Sequence, residues 1–570
     1  MKNKLWQPTI DEIELWGVTL LSIPLFALLL ATVTFILGGT IEMWIFPTAI
    51  ILSLLCGHRY IDTHGSLPYA HLRFYLCIVS SIALALLSSA LIYDYSYDGN
   101  TYHQESVIAI IKGCNPIHTP EQMGSIWSIH YAKALEIIAS TIAICFNRIE
   151  CGKAVNILLI LSCIFITHTF LKRKFSHLTQ RYILLFTILI TLSPTVISQA
   201  FTYYNDFALH IFTQLIVISL IEIYQKDRPI MWCVLAIVTP LAIATKFTIA
   251  LYALLTIAIA VIWYRVVGRR QLSGKLAGAA MIMMIIGLGV VGYHPYITNT
   301  IGWGNPFYPL IGGHIDIMST NTPEIYYHGN RVTNWLRSLF YNAQGSGIWI
   351  PFFNDSLKDY YIAYDNRIAG FGPLFGYILF IATTLFAATI HRDIKQHGTH
   401  IQHATTHIVI SLILILSCFI FEQSWWIRYI PFLWTTPSVM LLYTHYNTPP
   451  TRTTQAVRNT LYAALITTQL LCCATTLMAG ISYTQRLGGL YQAVNRQSLL
   501  EIYSDNCLPS FEHKLQERNI KYEVLNNPKT HLDTTMRCVV IPAKAYIYTD
   551  SATYNRMQHP DILDFITNNR

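Results

Sequence analysis

Residues 71–103 read HLRFYLCIVSSIALALLSSALIYDYSYDGNTYH. The apolar run from His71 to Tyr93 is long enough to cross hydrocarbon as a helix, and it ends directly on two carboxylates, Asp94 and Asp98. An ionised group is costly inside a bilayer, so acids at such a boundary mark where the chain meets water and are candidates for function. Asp94 reads as the residue that ends the span and caps the next segment. Asp98 reads as functional, because of what else faces the same side.

The pattern recurs along the 570 residues. Apolar windows of spanning length lie at about 15–38, 41–57, 73–93, 154–171, 182–200, 207–224, 230–246, 248–264, 277–296, 371–390, 406–421, 429–444 and 459–482, about thirteen in all. The chain is 53% hydrophobic and 12% charged, with a mean hydropathy of +0.42. Soluble domains carry about a quarter charged residues, so an all-α polytopic membrane protein is expected.

Lys and Arg in short connectors set the orientation. Lys2 and Lys4, Arg59 and Arg73, Lys172 to Lys174 with Arg181, Lys226 and Arg228, Arg265 to Lys275, Arg392 and Lys395, and Arg452 with Arg458 all fall on one side of a thirteen-span scheme. The N-terminus is then cytoplasmic, the C-terminus outside, and the protein multi-pass in the inner (plasma) membrane. The net charge of +8 is spread over these connectors, which signals topology and no nucleic-acid partner. No small-residue cleavage site comes after the first apolar run, so it is read as an uncleaved helix. Residues 126–146 would put Lys172–Lys174 outside if they crossed, so they are read as a helix lying on the outer surface, with Lys133 and Glu136 suiting an interfacial position.

This scheme leaves three outer segments: Asp94 to about Lys153, about Ile297 to Gly370, and about Ser482 to Arg570. In the third, Gln497–Tyr503 and Phe511–Arg518 look helical, while Lys521–Leu525 and Arg537–Ile541 look like strands, which suggests a small accessory α/β domain. Cys507 and Cys538 there are a candidate disulfide in an oxidising compartment; no CxxC or HExxH spacing specifies a structural zinc.

The outer face carries a second acid, Asp206 in YYND, between two spans. It also receives Lys246 at a helix boundary, His294-Pro295-Tyr296 leading into GNPFYP at 304–309, and WWIRY at 425–429. Aromatic and cationic residues are ordinary at interfaces. Together they surround one vestibule with acids, cations and rings.

The order and side of these segments resemble the GT-C superfamily of membrane glycosyltransferases, in the bacterial form that uses polyprenyl-phosphate sugars. Asp98 in YDGNTYH matches the first acid of that pattern and Asp206 the second; residues 104–146 match its surface helices and 297–370 its long loop. KGCNPIH at 112–118, KFT at 246–248, GNPFYP and WWIRY look like segments recurring in such enzymes. The resemblance covers most of residues 73–445. It implies a core over 73–483, two additional transmembrane helices in 1–72 and an outer-face C-terminal domain over 484–570.

The chemistry is independent of the resemblance. An activated sugar outside the cytoplasm arrives on a lipid, and neither a Walker loop nor a dinucleotide fingerprint is present to hold a nucleotide sugar. Transfer needs a base for the attacking hydroxyl and positive charge for the departing phosphate. Asp98 is the candidate base, and a single carboxylate base implies inversion. Asp206 either orients the acceptor, shares a divalent metal (Mg²⁺ or Mn²⁺) with Asp98, or is an acid satisfied by neighbouring tyrosines. Arg428 is the first candidate for the phosphate because guanidinium matches phosphate oxygens in a bidentate fork, then Lys246, with Arg331, Arg337 and Tyr308 in the long loop and His103 as a residue that tunes Asp98. The expected partners are a polyprenyl-phosphate sugar, membrane lipids, and a glycan, lipid or protein acceptor. An outer-face polymerase or ligase of lipid-linked oligosaccharides would use the same groups. A flippase or transporter would instead favour ionisable residues deep in the spans and repeat symmetry.

Overall fold

The computed structural model describes residues 7–64, 68–311, 321–350, 357–397, 401–447, 451–494, 500–504, 508–529, 536–541 and 545–550. A helix occupies every apolar window of the sequence: α1 (Ile10–Ile36), α2 (Ile45–His64), α3 (Ala70–Leu91), α7 (Ala154–Lys174), α8 (Gln180–Thr191), α10 (Phe207–Lys226), α11 (Pro229–Thr245), α12 (Phe247–Val266), α13 (Arg270–Ile285), α16 (Phe375–His397), α17 (Ile401–Ser417), α18 (Thr435–Asn447) and α19 (Arg452–Val494). Among the described residues, eight helices are long and apolar enough to cross a membrane. The chain is a polytopic helical membrane protein.

Short helices fill the connections: α4 (Gln104–Ile111), α5 (Ile126–His130), α6 (Ala134–Phe146), α9 (Pro194–Gln199), α14 (Thr298–Trp303) and α15 (Arg331–Phe340). The start of α1 is closed by a capping box between Thr9 and Glu12. α1 packs on α7, α2, α11, α6 and α3, so the residues before 73 share one core with those after it. At its N-terminal end Glu14 is buried and receives Arg173 and Arg228, Asp11 receives Arg173 at 2.8 Å, and Arg73 donates to Glu12 at 2.6 Å. Acids in the first turn of α1 thus meet cations at the end of α7, as antiparallel helix dipoles favour. At the other end of α1, the Asn115 amide of KGCNPIH donates to the carbonyls of Phe35 (2.9 Å) and Gly39 (2.8 Å).

The expected surface helix over 126–146 is replaced by α5 and a sunken α6. Residues Ala134–Ala143 of α6 are buried against α1, α4 and the turn at Ile149–Lys153. With 13 residues it is about 20 Å long, too short to cross hydrocarbon about 30 Å thick. Its two charges are not an interfacial pair. Lys133 is buried and donates to the Tyr131 carbonyl (2.6 Å) with His294 Nε2 at 2.9 Å, whereas Glu136 meets His103 Nδ1 at 2.5 Å.

α19 runs for 43 residues, about 65 Å, well past its apolar window and through the expected domain boundary at 483/484. Its final turns, with Tyr483, Leu487, Leu490 and Tyr491, pack beside Tyr93 and Tyr95 and under a small sheet of β1 (Leu500–Ser504), β2 (Tyr522–Val524), β3 (Met536–Ile541) and β4 (Ala545–Asp550). The order is β2-β1-β4-β3, with β1–β2 parallel and the other pairs antiparallel. The stretch expected to be helical at Gln497–Tyr503 contains β1 instead, because Leu500 and Ile502 alternate into the core below α20 (Leu508–Gln516). The strands near 522 and 537 fall where expected; Cys507 lies outside the described residues.

Candidate active site

Three breaks between helices meet at one end of the bundle. The chain leaves α3 at Leu91, enters a loop, and turns through a π-helical segment at Gly99–His103 into α4. Asp94 holds that loop: it is fully buried, Oδ1 accepts from the Ser96 amide (2.8 Å) and hydroxyl (2.6 Å), and Oδ2 accepts from Gln104 (3.1 Å) and the Tyr203 amide (2.9 Å). A side-chain carbon on Gly99 would overlap Asp94 Oδ2 and Ser96 Oγ, so only glycine fits there. Asp94 therefore fastens the first loop to the second, and Asp98 is left at the open end.

Asp206 sits at the N-cap position of α10. Its Oδ1 accepts from Lys246, which occupies the extended break between α11 and α12, and its Oδ2 accepts from Arg428 Nε (2.7 Å) and Gln199 (3.4 Å). Arg428 also places Nη2 3.0 Å from Asp98 Oδ2 and Nη1 3.6 Å from Asp365 Oδ1. Its guanidinium lies 4.5 Å from the ring centre of Tyr204 and 5.2 Å from that of Trp426, which strip away water while favouring the cation. Asp365 is fixed by the Trp426 indole (2.7 Å), and Asp98 receives the Tyr102 hydroxyl at 3.3 Å.

Exposure separates the acids. The Asp98 side chain is 19% exposed and that of Asp206 only 2%. Burial pushes the Asp206 carboxyl up, but Arg428 and then Lys246 outweigh it and hold it well below the usual carboxylate range. Burial pushes Asp365 up, with Arg428 opposing and Asp98 reinforcing, and the net shift is upward.

Four of the acids and cations singled out in the sequence are therefore brought together: Asp98, Asp206, Lys246 and Arg428. The others lie elsewhere. His103 turns its Nδ1 to Glu136. Arg331 is exposed and meets Glu422 at 3.5 Å, and Arg337 donates to the Ile325 carbonyl at 2.6 Å. Tyr308 stacks on Trp303 with centroids 4.1 Å apart. Asp365 was not singled out, although it lies six residues before the apolar window at 371–390, about as near a span boundary as Asp98. Tyr102 and Gln199 were not singled out.

The residues do not fit a metal shared between Asp98 and Asp206. Both oxygens of Asp206 are taken by cations, and Arg428 stands between the two carboxylates where such an ion would sit.

An aromatic lane leads away from the acids. Tyr102 meets Tyr131 (6.4 Å), Tyr131 meets Phe247 (5.8 Å), and Phe247 meets Tyr296 (5.3 Å) and Phe307 (5.5 Å). Beyond it Ile301, Trp303, Leu310 and Ile311 are exposed, which opens the lane onto an apolar surface.

No protein-family model matches the sequence, and no curated protein matches it. Among solved structures, the apo form of the Archaeoglobus fulgidus oligosaccharyltransferase is similar at a TM-score of 0.32 and 11% identity, over 80% of this chain and 62% of that one. The chain thus spans less than two thirds of that protein's length.

Proposed function

We propose that the chain is an inverting membrane glycosyltransferase of GT-C type that moves a sugar from a polyprenyl phosphate to a glycan, lipid or protein acceptor at the outer face of the plasma membrane. The observation that carries the reading is a partly exposed carboxylate, Asp98, gripped by the same guanidinium that grips a fully buried one, Asp206. Asp98 takes the proton of the acceptor hydroxyl as its oxygen attacks the anomeric carbon. The bond from that carbon to the phosphate oxygen breaks, and the phosphate leaves with the electron pair.

The cations have different parts. Arg428 has spent donors on three carboxylates, so its part is to hold Asp98 in place. Lys246 gives one contact to Asp206 and is 17% exposed, which makes it the cation facing the departing phosphate. This reverses the order expected from side-chain type alone. The aromatic lane, opening on exposed apolar residues beside Lys246, suits a polyprenyl chain lying in lipid with its phosphate at the site.

The test uses purified protein in proteoliposomes with synthetic polyprenyl-phosphate sugars and envelope lipids and glycans as acceptors. Release of free polyprenyl phosphate by the parent, lost in Asp98→Asn, supports the reading. Movement of the intact lipid across the bilayer without release overturns it in favour of a transporter.

A further inference from the structure

At the opposite end of the bundle, beside the Arg73–Glu12 pair, the α2–α3 hairpin gathers two imidazoles and a carboxylate. His58 and Asp62 are one turn apart on α2 and share a face, and His71 comes from the first turn of α3. His58 Nε2 lies 3.5 Å from Asp62 Oδ2, and His71 Nε2 lies 3.2 Å from Asp62 Oδ1. The ligand-capable atoms of the three residues all fall within 4.8 Å of one another.

We infer that His58, Asp62 and His71 form a site for one divalent transition ion, best suited to zinc, which clasps α2 to α3. Three observations support this. Zinc bonds to nitrogen and oxygen are about 2.0–2.2 Å long, which sets neighbouring ligand atoms of a tetrahedron ~3.3 Å apart, the spacing already present between each imidazole and the carboxylate. The His58 Nδ1 lies 3.0 Å from the Tyr75 hydroxyl, the outer contact that orients a ligating imidazole and leaves Nε2 for the ion. Finally, the two rings lie with centroids only 4.4 Å apart. Both rings therefore sit beside the one carboxylate, and a single ion placed between them reaches all three residues. His64, on the same helix, is held by the Tyr60 carbonyl and Thr63 and belongs to no such set among the described residues.

Three protein ligands leave a coordination position for water, and the side chains are about two-fifths exposed, so an ion has a path in. Imidazole and carboxylate together suit zinc, with cobalt as a spectroscopic substitute, and disfavour magnesium or calcium.

The experiment uses the full chain, stripped of metal in detergent and titrated with Zn²⁺ or Co²⁺ alone. The expected result is about one equivalent bound, a Co²⁺ visible band of nitrogen and oxygen ligation, and a rise in thermal midpoint with added Zn²⁺. His58→Ala, His71→Ala and Asp62→Asn should each weaken binding at least about tenfold, Tyr75→Phe by a smaller factor, and His64→Ala not at all. All these positions are at the surface, and Asp62→Asn keeps the side chain's shape, so the variants remain folded. Binding of equal strength in the triple variant, or no binding by the parent at ~100 μM Zn²⁺, overturns the inference.

Discussion

Arg428 Nε donates to Asp206 Oδ2 at 2.7 Å, joining positions 222 residues apart, while the other arm of the same guanidinium reaches Asp98. The planar fork sets the distance between the two acids. A lysine ammonium keeps the charge but cannot hold two carboxylates at a fixed separation.

Arg428→Lys should therefore lower turnover more than it lowers stability, and Arg428→Ala should lower both. Removing the cation leaves Asp98 without an ion pair among the described residues, Asp206 with Lys246 and Asp365 with Arg367 at 3.6 Å, at a cost of about 3 kcal/mol. Adding Asp206→Asn to Arg428→Ala should recover much of that stability and none of the activity. Thermal unfolding and donor turnover measured on the same preparations check this; recovery of both together would make Arg428 a purely structural residue.

Asp98→Asn preserves shape and removes the proton acceptor. Transfer should fall by about two or more orders of magnitude while donor binding and thermal stability stay near those of the parent. Near-parent turnover excludes Asp98 as the base.

Asp206 is ionised in the folded protein well below the pH at which it is ionised in the unfolded chain, about 4. Its contribution to stability is present above about pH 4 and is lost as pH falls toward its folded value, because there the unfolded state binds the extra proton. Asp365 is raised, so its sign is opposite: the stability it contributes is present at low pH and is lost as pH rises through its folded value. Asp206→Asn should flatten the acid side of a plot of thermal midpoint against pH, and Asp365→Asn should raise the midpoint on the neutral side.

Length and hydropathy placed helices on every apolar window, and charges at span boundaries found Asp98, Asp206, Lys246 and Arg428, since ions are scarce in such a chain and boundary positions converge on one layer. Asp365 carries the same kind of marker, six residues before the window at 371–390, and joins the layer where the long loop meets Trp426 of WWIRY. Lys133 and Glu136 looked interfacial because their partners, His294 and His103, are 161 and 33 residues away. The apolar residues around β1 form too short a run to separate a strand from a helix by periodicity, and the alternating burial of Leu500 and Ile502 decides for the strand.

The C-terminal domain is docked on the loop that carries Asp98. Lys514 of α20 is buried and donates to Asn100 Oδ1 at 2.6 Å, lying 3.4 Å from Glu150, and Ser510 donates to Gln104 at 2.7 Å. Lys514→Ala removes the shortest donor to Asn100 Oδ1, which keeps Ser510 at 3.1 Å and Gln104 at 3.4 Å, and takes the cation away from Glu150 Oε1, a cost of about 1–3 kcal/mol. Hydrogen exchange should quicken in both α20 and the Gly99–His103 turn, and transfer should fall while the core helices stay protected. Exchange that quickens in α20 alone would mean that the domain does not support the loop.

Orientation is tested on a cysteine-free background with single cysteines at exposed positions: Gln122 in the first loop, Glu523 in the C-terminal domain, and Lys226 at the end of α10. Lys226 belongs to the basic connectors that the positive-inside pattern assigns to the cytoplasm, whereas the other two lie toward the end that carries Asp98. A membrane-impermeant maleimide applied to intact cells should label Gln122→Cys and Glu523→Cys at once, and Lys226→Cys only after permeabilisation. The reverse pattern would put Asp98 in the cytoplasm, where nucleotide sugars are available, and would remove the reason for a lipid-linked donor.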